Sequence, residues 1–458
     1  MMRLSEAALV VQGVLKGVDT TFESVGTDSR NIVANQLFVA LKGERFDGHQ
    51  FADQAIAQAA VGVLVENANI DVQPVIVVDD TYKALGQLAA YWRNKFTLPI
   101  VAVTGSNGKT TVKEMIAAIL SIRTGESKAV HATVGNLNNH IGLPLTLLKL
   151  RDVHQFAVLE MGMNHLGEIA YLARIAQPDV AVIANAGTAH IGEVGSRDNI
   201  AKAKGEIFSG LGIKGVAVIN ADDDYAEYWQ RLNEGRRTVT FGLKSFADVT
   251  AHYEEMDGMT QLHLKTPQGE IDFKLNVLGV HNVMNALAAS AVAMALGVPN
   301  HDIADGLQRF GGVEGRLQRK HGKHGAVLID DTYNANPDSM KAAINVLAQQ
   351  SGNKILVLGD MGELGADSKK MHFEVGAYAK SIGLDQFYCL GHSSQEMVRG
   401  FGEGALHFNT LEAIVNEIKL QMNKNTTVLV KGSRFMKMER VVALLEEKLT
   451  EIQRLGDE

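Results

Sequence analysis

Apolar residues along this chain fall into short, β-branched runs separated by amphipathic stretches, and the two kinds of segment alternate from end to end. Runs at 36–41, 62–65, 74–78, 98–104, 156–159, 180–184, 216–219, 326–329, 355–358, 386–390 and 427–430 have the length and composition of buried strands. Between them, 49–60, 82–96, 112–120 and 282–296 carry apolar positions at helical spacing and predict helices. Residues 1–18, apolar but holding Glu6 and Lys16, predict an amphipathic helix and lack the cleavage site of a signal peptide. Alternating strand and helix implies an α/β fold built on parallel sheets with helices on both faces. Only 238–277 breaks the pattern, as successive short strands that predict an antiparallel edge. Three domains are expected. Residues 1–81 form a small N-terminal α/β domain, 82–312 a central P-loop ATPase-type parallel sheet, and 313–458 a C-terminal Rossmann-like doubly wound domain. The stretch near Thr97 and the pair Gly311-Gly312 are candidate hinges.

Composition narrows the classes of function. Hydrophobic residues at 46% and charged residues at 21% of 458 positions suit an ordinary globular enzyme. A balance of 44 Lys+Arg against 52 Asp+Glu, net −8, gives no electrostatic case for nucleic acid or for an anionic membrane. Cys389 is the single cysteine, which excludes internal disulfides and cysteine-based metal sites. No apolar run approaches the length of a bilayer-spanning helix, so no membrane insertion and a cytoplasmic location are expected.

The chemistry centres on Gly105-Ser106-Asn107-Gly108-Lys109-Thr110-Thr111, which follows the apolar run 98–104 and precedes a helix. In such a loop the backbone N–H groups point at phosphate oxygens, backed by the positive end of a helix dipole. Lys109 would reach the β/γ-phosphates and the Thr110 hydroxyl would bind Mg²⁺. The glycine usual six residues before the lysine is Val103 here, a shortened loop that argues against an ordinary GTPase or motor ATPase. Glu160 ends the next predicted strand on the same rim, where a carboxylate suits Mg²⁺ or, alternatively, caps a helix or faces solvent. On spacing alone His190 is an ordinary surface or packed histidine, Lys202 and Glu206 are a solvated i,i+4 pair, and Asp222-Asp223-Asp224 is an acidic loop. His281, Asn282 and Asn285 open a helix, where amides can read an adenine edge. Asn336-Pro337 fits either a turn-and-cap role or a site role.

In this order, Gly105-Ser-Asn-Gly-Lys-Thr-Thr, Glu160, His190, Gly279-x-His-Asn-x-x-Asn-Ala, Gly315-Arg316 and Asp330-Asp331 resemble the Mur ligases. These are the ATP-dependent amide-bond-forming enzymes of bacterial cell-wall precursor synthesis, and the resemblance covers essentially the whole chain. Three stretches resemble the branch that joins D-alanyl-D-alanine to UDP-N-acetylmuramoyl-tripeptide: Gly135-Asn-Leu-Asn-Asn139 with Ile141-Gly142, Asp331-Thr-Tyr-Asn-Ala-Asn-Pro-Asp-Ser339, and Leu358-Gly-Asp-Met-Gly-Glu-Leu-Gly365. The Asp-Asn-Pro-Arg motif of the sibling that adds the third amino acid is absent.

The resemblance implies ATP and two Mg²⁺ ions, with Thr110, Glu160, His190 and Lys204 as metal ligands. Lys204 would be carbamylated, Lys202 being the alternative register. Lys109 and Arg316 would lie at the triphosphate, together with Gly105, Ser106, Asn107, Gly108 and Thr111. His281, Asn282, Asn285 and Asp331 would hold adenine and ribose. Asp28, Ser29, Arg30, Lys42 and Gly43 would hold the uridine diphosphate end of the substrate. Asn136, Asn138, Asn139, Asn334 and Asn336 would lie near its sugar-peptide part, and Lys431, Ser433 and Arg434 near the incoming amine. A monomer passing through an acyl phosphate is expected. Another Mur step, a folylpolyglutamate-type ligase, and a P-loop ATPase switch remain the alternative readings.

Overall fold

A computed structural model describes residues 1–66, 70–189, 191–256 and 258–447. Its centre is a six-stranded, all-parallel sheet in the order Arg237–Phe241, Val216–Asn220, Val180–Ile183, Ile100–Thr104, Phe156–Glu160, Val130–Ala132. Along Ile100–Thr104 every residue is buried, and the side chains alternate between two cores. Ile100 and Ala102 enter one cluster, Val101 and Val103 the other. Burial on both faces explains why these strands read as unbroken apolar runs. Helices Lys109–Thr124, Val280–Ala295 and Asn300–Gln308 cover one face; Thr81–Arg93, Glu168–Ala176 and Arg197–Gly205 cover the other.

The C-terminal domain repeats the scheme. Val327–Asp331, Thr426–Lys431, Asn353–Gly359, Gln386–Leu390 and Ala405–Phe408 are parallel, and Gln318–His321 adds an antiparallel edge. The N-terminal domain is a five-stranded mixed sheet in the order Val14–Lys16, Val75–Val77, Ala60–Val65, Gln36–Val39, Ser24–Gly26. The α/β, three-domain reading holds.

Several local expectations need correction. Residues 1–18 are not one helix: Met2–Arg3 pairs with Thr21–Phe22, Leu4–Val10 is helical, and Val14–Lys16 is a strand. The helix ends because Gln12 turns left-handed (φ 55°) and Gly13 then passes close against Val77. A Cβ on Gly13 would lie 2.7 Å from the Val77 carbonyl oxygen. The helix expected at 49–60 shortens to a tight turn Gly48–Phe51 and Ala52–Ala57, because the strand Ala60–Val65 begins there. Residues 238–277 divide. Arg237–Phe241 joins the central sheet in parallel, while Thr250–Met256, Met259–Thr266 and Gly269–Leu275 form a separate antiparallel sheet whose apolar face joins the core beside Val280–Ala295.

The two inter-domain joints differ. One apolar cluster runs unbroken from the N-terminal domain (Leu4, Phe22, Leu37) through Leu85, Leu88 and Trp92 of helix Thr81–Arg93 into the central domain (Leu147, Ile169). Trp92 Nε1 donates to the Leu150 carbonyl at 3.1 Å. The stretch near Thr97, expected as a hinge, follows this packed helix, and Leu98 is buried in the same cluster. Between the central and C-terminal domains the contacts around the cavity are polar, Leu278 packs into the apolar core of the C-terminal domain, and the chain crosses at Gly311-Gly312, where Gly312 has φ 88°.

Candidate active site

The strand Ile100–Thr104 delivers the glycine loop to the C-terminal edge of the central sheet, where ligands of parallel sheets bind. Gly108 is left-handed (φ 80°) and packs against Asn285, so a side chain there would be strained and would collide with Asn285 Oδ1. Asn185 fastens the loop: its carbonyl accepts from Ser106 N at 3.0 Å and its Oδ1 from Asn107 N at 2.9 Å. Its Nδ2 returns a bond to the Asn107 carbonyl at 3.1 Å. Lys109 Nζ donates to the Gly105 carbonyl at 2.8 Å, and burial depresses its pKa.

Thr110 Oγ1 donates to Glu160 Oε2 at 2.8 Å, and Asn138 Nδ2 donates to Glu160 Oε1 at 2.8 Å. From the C-terminal domain, Arg316 Nη2 donates to Thr110 Oγ1 at 2.9 Å, and its guanidinium lies 4.2 Å from the Tyr333 ring centroid. Asn336 caps helix Pro337–Ala348, one of its two expected roles, and also donates from Nδ2 to Asn107 Oδ1 at 2.7 Å. Asp338 Oδ2 accepts from Thr188 N and Oγ1, each at 2.8 Å. Gly192 N donates to the Glu363 carbonyl at 3.1 Å.

These contacts close around a cavity of about 1130 Å³. Of the residues singled out from sequence, Ser106, Asn107, Gly108, Lys109, Thr111, Asn136, Asn138, Asn139, Glu160, His281, Asn282, Asn285, Arg316, Asp331, Asn334, Asn336 and Lys431 line it. Gly105, Thr110 and Lys204 sit behind that lining. Among the described residues, Ser106 Oγ and Arg316 Nε are buried there without a hydrogen-bond partner. Among the described residues no three His, Cys, Asp or Glu side chains cluster as a metal site. The hydroxyl and carboxylate of Thr110 and Glu160 are hard oxygen donors of the kind Mg²⁺ takes together with phosphate oxygens. The donor set therefore fits Mg²⁺ with a nucleotide. His190 lies outside the described residues.

Lys204 is buried in the last turn of Arg197–Gly205, whereas Lys202 is exposed. Burial, reinforced by the Lys109 charge, drives the Lys204 ammonium pKa well below the ordinary lysine value, against the pull of Asp223. The expected solvated pairing of Lys202 with Glu206 is replaced by another bond set. Glu206 accepts from the N–H groups of Gly167 and Ala170 at the start of Glu168–Ala176. Asp222–Asp224 is no plain acidic loop either. Asp222 holds the backbone of Leu243, Lys244 and Ser245, and Asp223 accepts from Ala186 N.

Other expected site residues are engaged locally or lie apart. Asn282 Nδ2 donates to the Leu278 carbonyl and Asn285 Nδ2 to Asn282 Oδ1. Asp331 Oδ2 accepts from Lys431 Nζ at 2.7 Å, and Lys431 also reaches the Asn334 carbonyl at 2.9 Å. Ser433 Oγ accepts from Gly362 N, and Arg434 pairs with Glu439. His281, beside Asp331 and Lys431, has its pKa lowered to about 4 by burial. Asp28 and Arg30 form a two-bond pair, with Asp28 held well below the usual carboxylate range. They do not line the cavity, nor do Ser29, Lys42 and Gly43. A path nevertheless links Lys42 to it. The Lys42 carbonyl accepts from Tyr82 OH, and the Tyr82 ring packs 5.5 Å from that of His140, which lines the cavity.

Models of three Mur ligase families match successive parts of the chain. The Mur ligase family catalytic domain matches residues 21–93, the Mur ligase middle domain 103–293, and the Mur ligase glutamate ligase domain 315–434. The chain belongs to the Mur ligase family. Among Mur ligases it is 44% identical over 463 residues to the UDP-N-acetylmuramoyl-tripeptide–D-alanyl-D-alanine ligase of Haemophilus influenzae, covering 98% of this chain and 100% of that protein. A crystal structure of MurF from Acinetobacter baumannii superposes with a TM-score of 0.90 at 41% identity, covering 97% and 98% of the two chains. MurF ligase from Thermotoga maritima, solved in complex with ADP, gives 0.83 at 30% identity over 92% and 96%.

Asn185, Asp223 and Asp338 were missed from sequence. The one available signal was place: Asn185 follows a parallel strand directly, on the rim where the glycine loop sits.

Proposed function

We propose that this Mur ligase joins D-alanyl-D-alanine to UDP-N-acetylmuramoyl-tripeptide with cleavage of ATP to ADP and phosphate. The observation that carries the proposal is the Thr110–Glu160 pair, completed by Arg316 from another domain beside the glycine loop. A carboxylate is a poor acyl donor. The substrate's terminal carboxylate oxygen attacks the γ-phosphorus, ADP leaves, and an acyl phosphate forms. The amine nitrogen then attacks the acyl carbon, loses a proton, and phosphate departs as the amide forms. Such transfer depends on positioning and charge neutralisation. Lys109 and Arg316 supply fixed positive charge, and the unpartnered Ser106 Oγ and Arg316 Nε suit a polyanion. Thr110 and Glu160 would hold Mg²⁺, which neutralises phosphate charge when bound. The polar joint between the central and C-terminal domains excludes water from the acyl phosphate.

A carbamate forms from a neutral amine, and the depressed pKa of buried Lys204 favours that species, whereas Lys202 is exposed. Lys204→Ala should abolish nearly all ligation and regain part of it with added short carboxylic acids, while Lys202→Ala should stay within about twofold of the parent. The reverse pattern would move the carbamate to Lys202. A monomer in the bacterial cytoplasm, with boundaries at 81/82 and 312/313, completes the proposal. The deciding experiment measures phosphate release while omitting one substrate at a time. Release that needs both the muropeptide and the dipeptide supports the ligase. Release without an acceptor amine supports an ATPase switch, and release that needs a folate carboxylate together with glutamate supports a folylpolyglutamate-type ligase.

A further inference from the structure

Lys113 lies one turn beyond Lys109 and Thr110 in helix Lys109–Thr124, and its side chain is 1% exposed. Burying an ammonium is costly unless it is well paired. Here the Nζ donates to the Thr133 carbonyl and pairs with Glu114 Oε1 at 2.7 Å. Thr133 is itself buried and tied on two further sides. Its N–H donates to the Val158 carbonyl at 3.0 Å, and its Oγ1 accepts from Glu160 N at 2.9 Å. Past Thr133 the chain runs to Asn138, whose Nδ2 holds Glu160 Oε1 and whose carbonyl accepts from Gly162 N at 2.9 Å. Glu160 is thus gripped at its backbone by Thr133, at one carboxylate oxygen by Asn138 and at the other by Thr110. Two of those three grips belong to the segment 133–138, and Lys113 fastens the root of that segment to the nucleotide helix.

We propose that Lys113 is a positioning residue: by bonding Thr133 it fixes Glu160 relative to Thr110 and couples nucleotide binding to the asparagine loop at 136–139. This rests on the ligase reading above. In a helix whose apolar face fills the core, a lysine contributes nothing to burial that a methionine would not. The bond to Thr133 is what distinguishes it.

Lys113→Met keeps the stem and removes the charge. In the full-length enzyme it should raise the Mg²⁺ concentration for half-maximal phosphate release about tenfold. The dipeptide KM should stay within about twofold. Two readouts need no turnover: Mn²⁺ binding in the presence of ADP, followed by electron paramagnetic resonance, and hydrogen exchange with Mg²⁺ and ADP. In the parent, ADP should slow exchange at both 105–111 and 133–139. In Lys113→Met the protection at 133–139 should be lost, that at 105–111 kept, and Mn²⁺ binding weakened. Thr133→Val keeps the carbonyl that Lys113 bonds and removes only the Oγ1 bond to Glu160 N, so it should weaken Mg²⁺ and Mn²⁺ dependence like Lys113→Met, while Thr133→Ser should behave like the parent. Wild-type metal dependence and protection in folded Lys113→Met would overturn the proposal. If that variant does not fold, wild-type behaviour of Thr133→Val overturns it instead. Failure of the parent to ligate would defeat the ligase reading alone, since the exchange and Mn²⁺ measurements use ADP without a second substrate.

Discussion

The joint between the N-terminal and central domains and the joint between the central and C-terminal domains differ in what holds them. The first is a continuous apolar core through Leu85, Leu88 and Trp92. The second is mainly a set of hydrogen bonds, Arg316 to Thr110, Asn336 to Asn107 and Asp338 to Thr188, ranged around the cavity, with Leu278 adding a local apolar contact to the C-terminal core. Apolar burial is non-directional and is lost if the parts separate, so the first joint holds two domains as one body. Polar contacts can be exchanged for water at little net cost, so the second joint can open and close. Of the two joints, the C-terminal one is therefore the one suited to open for substrate entry and product release.

The most severe way to break this contrast is Trp92→Ala, which removes a buried ring and its bond to Leu150. It should cost about 3–5 kcal/mol in urea unfolding; a loss under about 1 kcal/mol would deny the apolar joint its structural role. Next, Arg316→Ala should lower phosphate release about 10²–10³-fold while unfolding stays near that of the parent. An equally large loss of stability would show that the polar joint is structural too. Asp338→Ala removes both bonds to Thr188 and should cut kcat/KM about tenfold; unchanged kinetics would remove that contact from closure. The mildest effect concerns pH. His281 faces Asp331 and Lys431 across the polar joint, and its native pKa of about 4 lies below the unfolded value of 6.5. The unfolded chain thus binds more protons between these values, so the contribution of neutral His281 is complete above pH 6.5 and lost as pH falls towards 4. The Tm of the parent should fall more over that window than that of His281→Gln; parallel curves would exclude His281.

Sequence pattern revealed the parallel strands and the rim because the runs are buried on both faces and the glycine loop follows one of them directly. Glu160 was found for the same reason. Asn185, Asp223 and Asp338 escaped because their partners lie far off in sequence, as Thr188 lies from Asp338. Lys113 escaped because a lysine within a helix ordinarily faces water. Its register with Ile116 and Leu120, three and seven residues on, was the signal available. The first 18 residues misled because two short strands and one helix share the overall apolarity of a single amphipathic helix.

Arg316 reaches Thr110 from across the crossing at Gly311-Gly312. The C-terminal domain is in effect a tethered ligand of the phosphate loop, and a short flexible tether sets an effective concentration on the order of millimolar. The arginine need only bind weakly in its own right. It can leave with each product and return without a diffusional search, so the length and suppleness of that glycine crossing tune how often the loop is complete.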